Sequence, residues 1–213
     1  MRRHVSVLLL FVTGAVAHAS GTVAVNFAQW DRQLWLPVHE SYVPVINLFA
    51  QQKGYIENPI PPGAAEKDIV GCAGGLGLAF MLLKDFRAAD LVARAEMAFD
   101  RKGAPAIFFR TQREGVVTGL SYSLVIYEKG VNFWQYDGKK WGKVAFTRFD
   151  LAPGAFHDLM VEARGEHFVV HVDGQLKLEC DDPAALPAGD IGLWAGEGPC
   201  RIKSFAARPL AQP

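Results

Sequence analysis

The stretch 156–195, FHDLMVEARGEHFVVHVDGQLKLECDDPAALPAGDIGLWA, alternates apolar and polar residues almost without a break. It turns at Arg164-Gly165-Glu166 and again at Asp173-Gly174. The pattern predicts a three-strand antiparallel meander over Phe156–Ala163, His167–Val172 and Gln175–Cys180. Leu159, Val161 and Ala163 share one face, as do Phe168, Val170 and Val172 on the next strand. Period-two alternation of this kind places one face on a core and the other in water. Asp-Gly between two such runs is a hairpin signal, because a type I′ turn needs positive φ at both central residues.

The same punctuation extends in both directions. Leu78–Lys84 is a continuous apolar run of strand length, as expected of a strand buried on both faces. Asp90–Asp100 alternates with Leu91, Ala93, Ala95, Met97 and Phe99 on one side. A helix is the rival reading there, and the nearby strand-like Ala104–Thr111 favours a strand. Ser121–Glu128 and Val131–Tyr136 form a hairpin around Lys129-Gly130, and Asp137-Gly138 leads into Trp141–Phe149. Asp190–Ala195 and Arg201–Ala207 close the chain, and Val23–Phe27 and Gly54–Pro59 supply short strands before Pro61-Pro62-Gly63. About a dozen strands with Gly turns and almost no helix point to an all-β sandwich or barrel. The segment Pro37–Gly77 is irregular.

Composition limits the rest. The chain has 213 residues and 14 phenylalanines, enough for one sizeable core. Its 22 basic and 22 acidic residues balance, with no basic stripe of the kind nucleic-acid binders carry. Arg2 and Arg3, the apolar run Val5–Val16 and Ala17-His18-Ala19 read as a secretory signal peptide over residues 1–19. An uncleaved anchor is the alternative. Residues 20–213 then form a single exported domain with no membrane span.

Export permits disulfides. Of the three cysteines, Cys180 and Cys200 lie at strand ends. A bridge between them closes about 21 residues and is worth ~3 kcal/mol in the chain-entropy picture. Three buried thiols, Cys72 included, is the alternative. No metal-ligand spacing and no cofactor fingerprint is present. His167 and His171 lie about 13 Å apart from end to end, too far for one ion. His157 suits a turn or capping role.

The segments ADLVARAEMAF, AIFFR, YSLVIYE, FHDLMVEARGEHFVVHVDGQL and GDIGLWA, with the closing strand and Pro-Leu, resemble the concanavalin A-like lectin/glucanase superfamily. They are most similar to its bacterial laminin-G-like jelly rolls, the 3-keto-disaccharide hydrolase (DUF1080) group among them. The match runs from about Ile56 to Leu210. It implies a two-sheet antiparallel jelly roll with a carbohydrate-binding concave face. Two departures stand out. Glu96-Met97-Ala98-Phe99-Asp100 does not fit the acidic run of laminarinase-type relatives, and its carboxylates are ~13 Å apart along a strand, beyond the spacing for glycoside hydrolysis. Lys203 stands where many relatives carry a calcium-binding aspartate, and lysine cannot ligate calcium.

Candidate groove residues are Arg110, whose fork suits diols or carboxylates, the aromatic residues Tyr122 and Trp134, which suit sugar rings, and Glu96. A structural ion pair from Arg110 to Glu96 or Asp100, and core packing of the rings, are the competing readings. Trp194 reads as core. The expected function is non-catalytic glycan binding. The alternative is a 3-keto-disaccharide or glycoside hydrolase in the same groove, with Glu96 as its acid–base.

Overall fold

The computed structural model describes residues 21–40, 48–60, 63–64 and 77–211. The signal-like segment 1–19, Cys72 and much of Pro37–Gly77 fall outside these. Five short strands come first: β1 (Val23–Asn26), β2 (Trp35–Pro37), β3 (His39–Glu40), β4 (Ala50–Gln52) and β5 (Tyr55–Glu57). The long strands begin with β6 (Ala79–Ala88), β7 (Leu91–Phe99) and β8 (Ala106–Thr111). After the two-residue strands β9 (Arg113–Glu114) and β10 (Val117–Thr118) come β11 (Ser121–Tyr127), β12 (Gly130–Tyr136) and β13 (Trp141–Arg148). The last five are β14 (Phe156–Arg164), β15 (His167–Val172), β16 (Gln175–Asp181), β17 (Gly189–Ala195) and β18 (Cys200–Pro209).

They build two large antiparallel sheets. One runs β16-β15-β14-β7-β18-β5-β4, with β1 also pairing β18; the other runs β13-β12-β11-β8-β17-β6-β2. A small third sheet joins β3, β10 and β9. The two-sheet all-β sandwich expected from the alternation is therefore the fold. The only helical elements among the described residues are two 3-10 turns near the start. Asp90–Asp100 holds a strand, β7, and no helix. Asp173 and Gly174 have φ of 52° and 74°, both positive as the type I′ turn requires.

The core explains why these sequences become strands. Leu159, Val161 and Ala163 of β14, with Phe168, Val170 and Val172 of β15, are buried between the sheets. They meet Ile107 and Phe109 of β8, Leu124 and Ile126 of β11 and Phe133 of β12. Phe168 from one sheet packs on Phe133, Tyr122 and Phe109 of the other at ring distances of 5.0, 5.2 and 6.1 Å. The apolar run of β6 is buried on both faces. Ala79, Met81 and Leu83 join this core, while Leu78, Phe80 and Leu82 join a second cluster on the outer side of the seven-stranded sheet.

Cys180 and Cys200 are free thiols, which corrects the expected bridge. Between β16 and β18 lie three strands, β15, β14 and β7. At about 4.8 Å per strand the two backbones are roughly 19 Å apart, and a disulfide spans less than ~7 Å between Cα atoms. Burial pushes the Cys180 thiol up to about 11 and the fully buried Cys200 thiol up to about 12. Alkylation of the native protein should therefore leave Cys200 unlabelled, and unfolding without reductant should expose both thiols. A Cys180–Cys200 cross-linked peptide in the mass spectrum would contradict this.

Candidate functional site

Strand register decides what reaches the outer face of the seven-stranded sheet. Across it, Leu82, Gly192, Phe108, Ser123, Trp134 and Lys143 stand in one row. The next row holds Phe80, Trp194, Ala106, Val125, Asn132 and Phe146. These residues alternate with core residues along each strand, so they point away from the sandwich interior. Over them lies an open groove of about 740 Å³, lined by Phe108, Val125, Trp134, Trp141 and Trp194, with Ser123 and Asn132 among its polar groups.

The aromatic floor is mutually braced. Phe108 lies 4.5 Å from Phe80, 5.8 Å edge-on from Trp141 and 6.4 Å from Trp194, to which it is stacked. The Trp194 ring folds back over Gly196, where a Cβ would come within 2.5 Å of it. Only glycine leaves that space open. On the β13 side, Lys143 Nζ sits 4.6 Å from the centre of the Trp134 ring and 5.0 Å from that of Phe146.

Glu40, Lys102, Glu128, Lys129 and Glu197 rim the groove. Lys129 is held by Asp150 at 2.9 Å and Glu128 at 3.5 Å. Glu197 follows Trp194-Ala195-Gly196 in the left-handed region at φ 61°. Its backbone neighbours are pinned: Ala104 N–H donates to Gly196 O at 3.1 Å, and Asn58 Nδ2 donates to Gly198 O at 2.9 Å. Its carboxyl makes no hydrogen bond or ion pair with the described residues. Burial raises its affinity for a proton above the usual carboxylate range.

Of the expected site residues, Trp134 lines the groove. Arg110 does not. Simple alternation puts it on the face of Phe108, but β8 carries a bulge: Thr111 pairs with Asp190, yet Phe108 pairs with Gly192, so β8 has one residue more. Arg110 sits there at φ 50°, and its side chain turns into the end of the sandwich. Nε, Nη1 and Nη2 donate to the carbonyls of Ala89, Leu186 and Gly165 at 2.8, 3.2 and 2.7 Å. Its acidic neighbour is Asp90 at 3.7 Å, not Glu96 or Asp100. Burial lowers its pKa.

Tyr122 also faces inward. It pairs with Gln135, so Ser123 and not Tyr122 shares the face of Trp134. Its hydroxyl donates to Asp182 Oδ2 at 2.5 Å and accepts from Leu186 N–H at 3.3 Å; burial, then the Asp182 bond, push its pKa up. Glu96 belongs to β7 of the other sheet and accepts from Lys203 Nζ at 2.7 Å. Trp194, expected in the core, is buried in the second, outer cluster and also borders the groove. Its neighbours Ile191, Leu193 and Ala195 take the interior face.

His157 and His167 pair with nearby carboxylates. His157 Nδ1 lies 2.9 Å from Asp173 of the hairpin turn, and His167 Nδ1 lies 2.8 Å from Asp181. Among the described residues no group of three or more His, Cys, Asp or Glu is placed to hold a metal ion. None of their helices is long and apolar enough to cross a membrane.

No family model matches the chain, and no curated relative does. Solved structures do. The carbohydrate binding module CBM66 from Bacillus subtilis superposes with a TM-score of 0.64 at 15% identity, over 82% of this chain and 95% of that one. Bacillus licheniformis beta-glucanase gives 0.62 at 12% identity, over 90% and 100%. A protein of unknown function with a galectin-like fold, also from Bacillus subtilis, gives 0.65 at 10%, over 88% and 96%. At such identities the likeness establishes the fold, a concanavalin A-like jelly roll, and nothing finer.

Proposed function

We propose that this is an exported, non-catalytic carbohydrate-binding protein that holds a glycan in the groove over its seven-stranded sheet. The observation that carries the reading is the aromatic floor. Three tryptophans, Trp134, Trp141 and Trp194, line one open groove together with polar Ser123 and Asn132. Aromatic faces cover the apolar C–H surface of sugar rings, and the hydroxyls need polar partners at the edges. Two of the similar structures are named as a carbohydrate binding module and a beta-glucanase, which supports a glycan over other small ligands. Export rests on the signal-like segment ahead of Ser20.

A glycan array and affinity electrophoresis test this with Trp134→Ala. Trp134 is partly exposed on the groove, so the variant should fold normally. Its affinity should fall about tenfold or more, the equivalent of ~1.4 kcal/mol. Absence of glycan binding by the parent protein, or equal binding by the variant, would overturn the reading.

One observation favours a second reading, hydrolysis of a glycoside or 3-keto-disaccharide in the same groove. Glu197 there is a half-buried carboxyl with a raised pKa, as a general acid requires, and Glu40 is a second carboxyl on the rim. The proposed acid–base is then Glu197 in place of Glu96. Release of new reducing ends or of a 3-keto sugar, abolished by Glu197→Gln, would establish it.

A further inference from the structure

We propose that the groove selects glycans carrying a free, protonated amine, that is, unacetylated hexosamines, with Glu197 as the residue that reads the amine. This rests on the glycan reading above and names its substrate class.

The charges around the groove are nearly all accounted for. Lys129 is neutralised by Asp150 and Glu128, and Glu40 and Lys102 each have interactions of their own. Glu197 is different: it is about half-buried, it lines the groove, and it has no cation and no donor among the described residues. An ionised carboxylate in that position lacks the partner that buried charge requires. Its backbone is fixed by the bonds to Gly196 and Gly198, which holds residue 197 at the groove. A cationic ligand in the groove supplies the partner that the described residues do not. A sugar hydroxyl supplies a neutral hydrogen bond, whereas an ammonium supplies a charge-assisted one roughly twice as strong.

The floor beside Glu197 suits the same group. Indole faces attract cations, and tryptophan does so best of the aromatic residues. The groove already shows this within its own chain, where the Lys143 ammonium lies 4.6 Å above Trp134. Trp194, three residues before Glu197, lines the same space. An amine entering there meets aromatic rings and one uncompensated carboxylate. An N-acetylated amine is neutral and bulkier, and an acidic sugar is repelled by Glu197.

An array of neutral, N-acetylated, acidic and free-amine glycans on shared backbones tests this, under conditions in which the amine keeps its proton. Free-amine glycans should be retained about tenfold more strongly than their N-acetylated counterparts. Glu197→Gln should abolish that preference. Glu179→Gln on the opposite sheet, the same change of charge, should keep it, and thermal melting confirms that both variants fold. A preference for neutral, acetylated or acidic glycans, or one that survives Glu197→Gln, overturns this inference and leaves the groove reading standing. Binding to none of the glycans overturns both.

Discussion

Arg110→Met should lower the free energy of unfolding by about 3–5 kcal/mol, the range seen when one partner of a buried ionic network is removed, and should leave glycan binding intact. The guanidinium is 1% exposed, so its charge is tolerated only because every side of it is used. It draws together three carbonyls from different parts of the chain: Ala89 between β6 and β7, Gly165 in the β14–β15 turn, and Leu186 ahead of β17. Its flat face covers the Phe168 ring at 5.1 Å. Methionine fills much of the volume and satisfies none of the three acceptors, each of which then bears its own desolvation cost. It also strands Asp90, which keeps only the Gly165 N–H at 2.8 Å. Lysine restores charge but not the fork, so Arg110→Lys should recover only part of the loss. Urea denaturation gives the size of the effect. A variant with unchanged midpoint but lost glycan binding would mean that Arg110 serves the groove and not the frame.

That outcome also marks where reading the residues in order succeeds and where it stops. The meander from Phe156 to Asp181 is legible because three signals coincide: strict alternation, a Gly turn and an Asp-Gly turn. β7 is legible as a strand despite the helix-forming ARAEMAF, because Ala93, Ala95 and Met97 lie on one face only if the period is two. Arg110 fails for one local reason. A bulge adds a residue to β8, and one extra residue reverses the face of everything it displaces. Nothing in AIFFRT announces it. Tyr122 and Trp134 fall on the two strands of the expected hairpin, but their relative face depends on a register that the Lys129-Gly130 turn does not specify by itself. Trp194 is buried as its sequence suggests, and the alternation in GDIGLWA puts Ile191 and Leu193 on one side of the sheet and Trp194 on the other, in the outer cluster. Glu197 had no sequence signal beyond its flanking glycines. Cys180 and Cys200 are near in sequence-derived strand ends yet distant in sheet order, and sheet order is what local patterns do not encode.

Gly192→Ala should destabilise the protein by about 3 kcal/mol, the upper range for overpacking, against the 0.5–1 kcal/mol gain that replacing a strand glycine by alanine ordinarily brings. The sign is set by space alone. A Cβ at residue 192 would meet Met81 O at 2.1 Å and Leu82 Cα at 2.8 Å. Both are backbone of the neighbouring strand and cannot swing aside as the end of a flexible side chain can. Relief requires β6 and β17 to separate, at the position where β17 already changes register against both its neighbours. The consequence reaches the groove, because Trp194 is two residues along the same face and Phe80 and Phe108 flank it in the braced floor. Glycan affinity should therefore fall about tenfold or more even in the fraction that remains folded. Gly142→Ala provides the contrast. It lies in β13, the edge strand, and its Cβ would meet nothing nearer than Gln135 O at 3.9 Å, so that variant should be as stable as the parent or slightly more so. Equal melting temperatures for the two alanine variants would show that β6 and β17 do not pack as closely as the groove floor requires, and the aromatic platform would lose its structural basis.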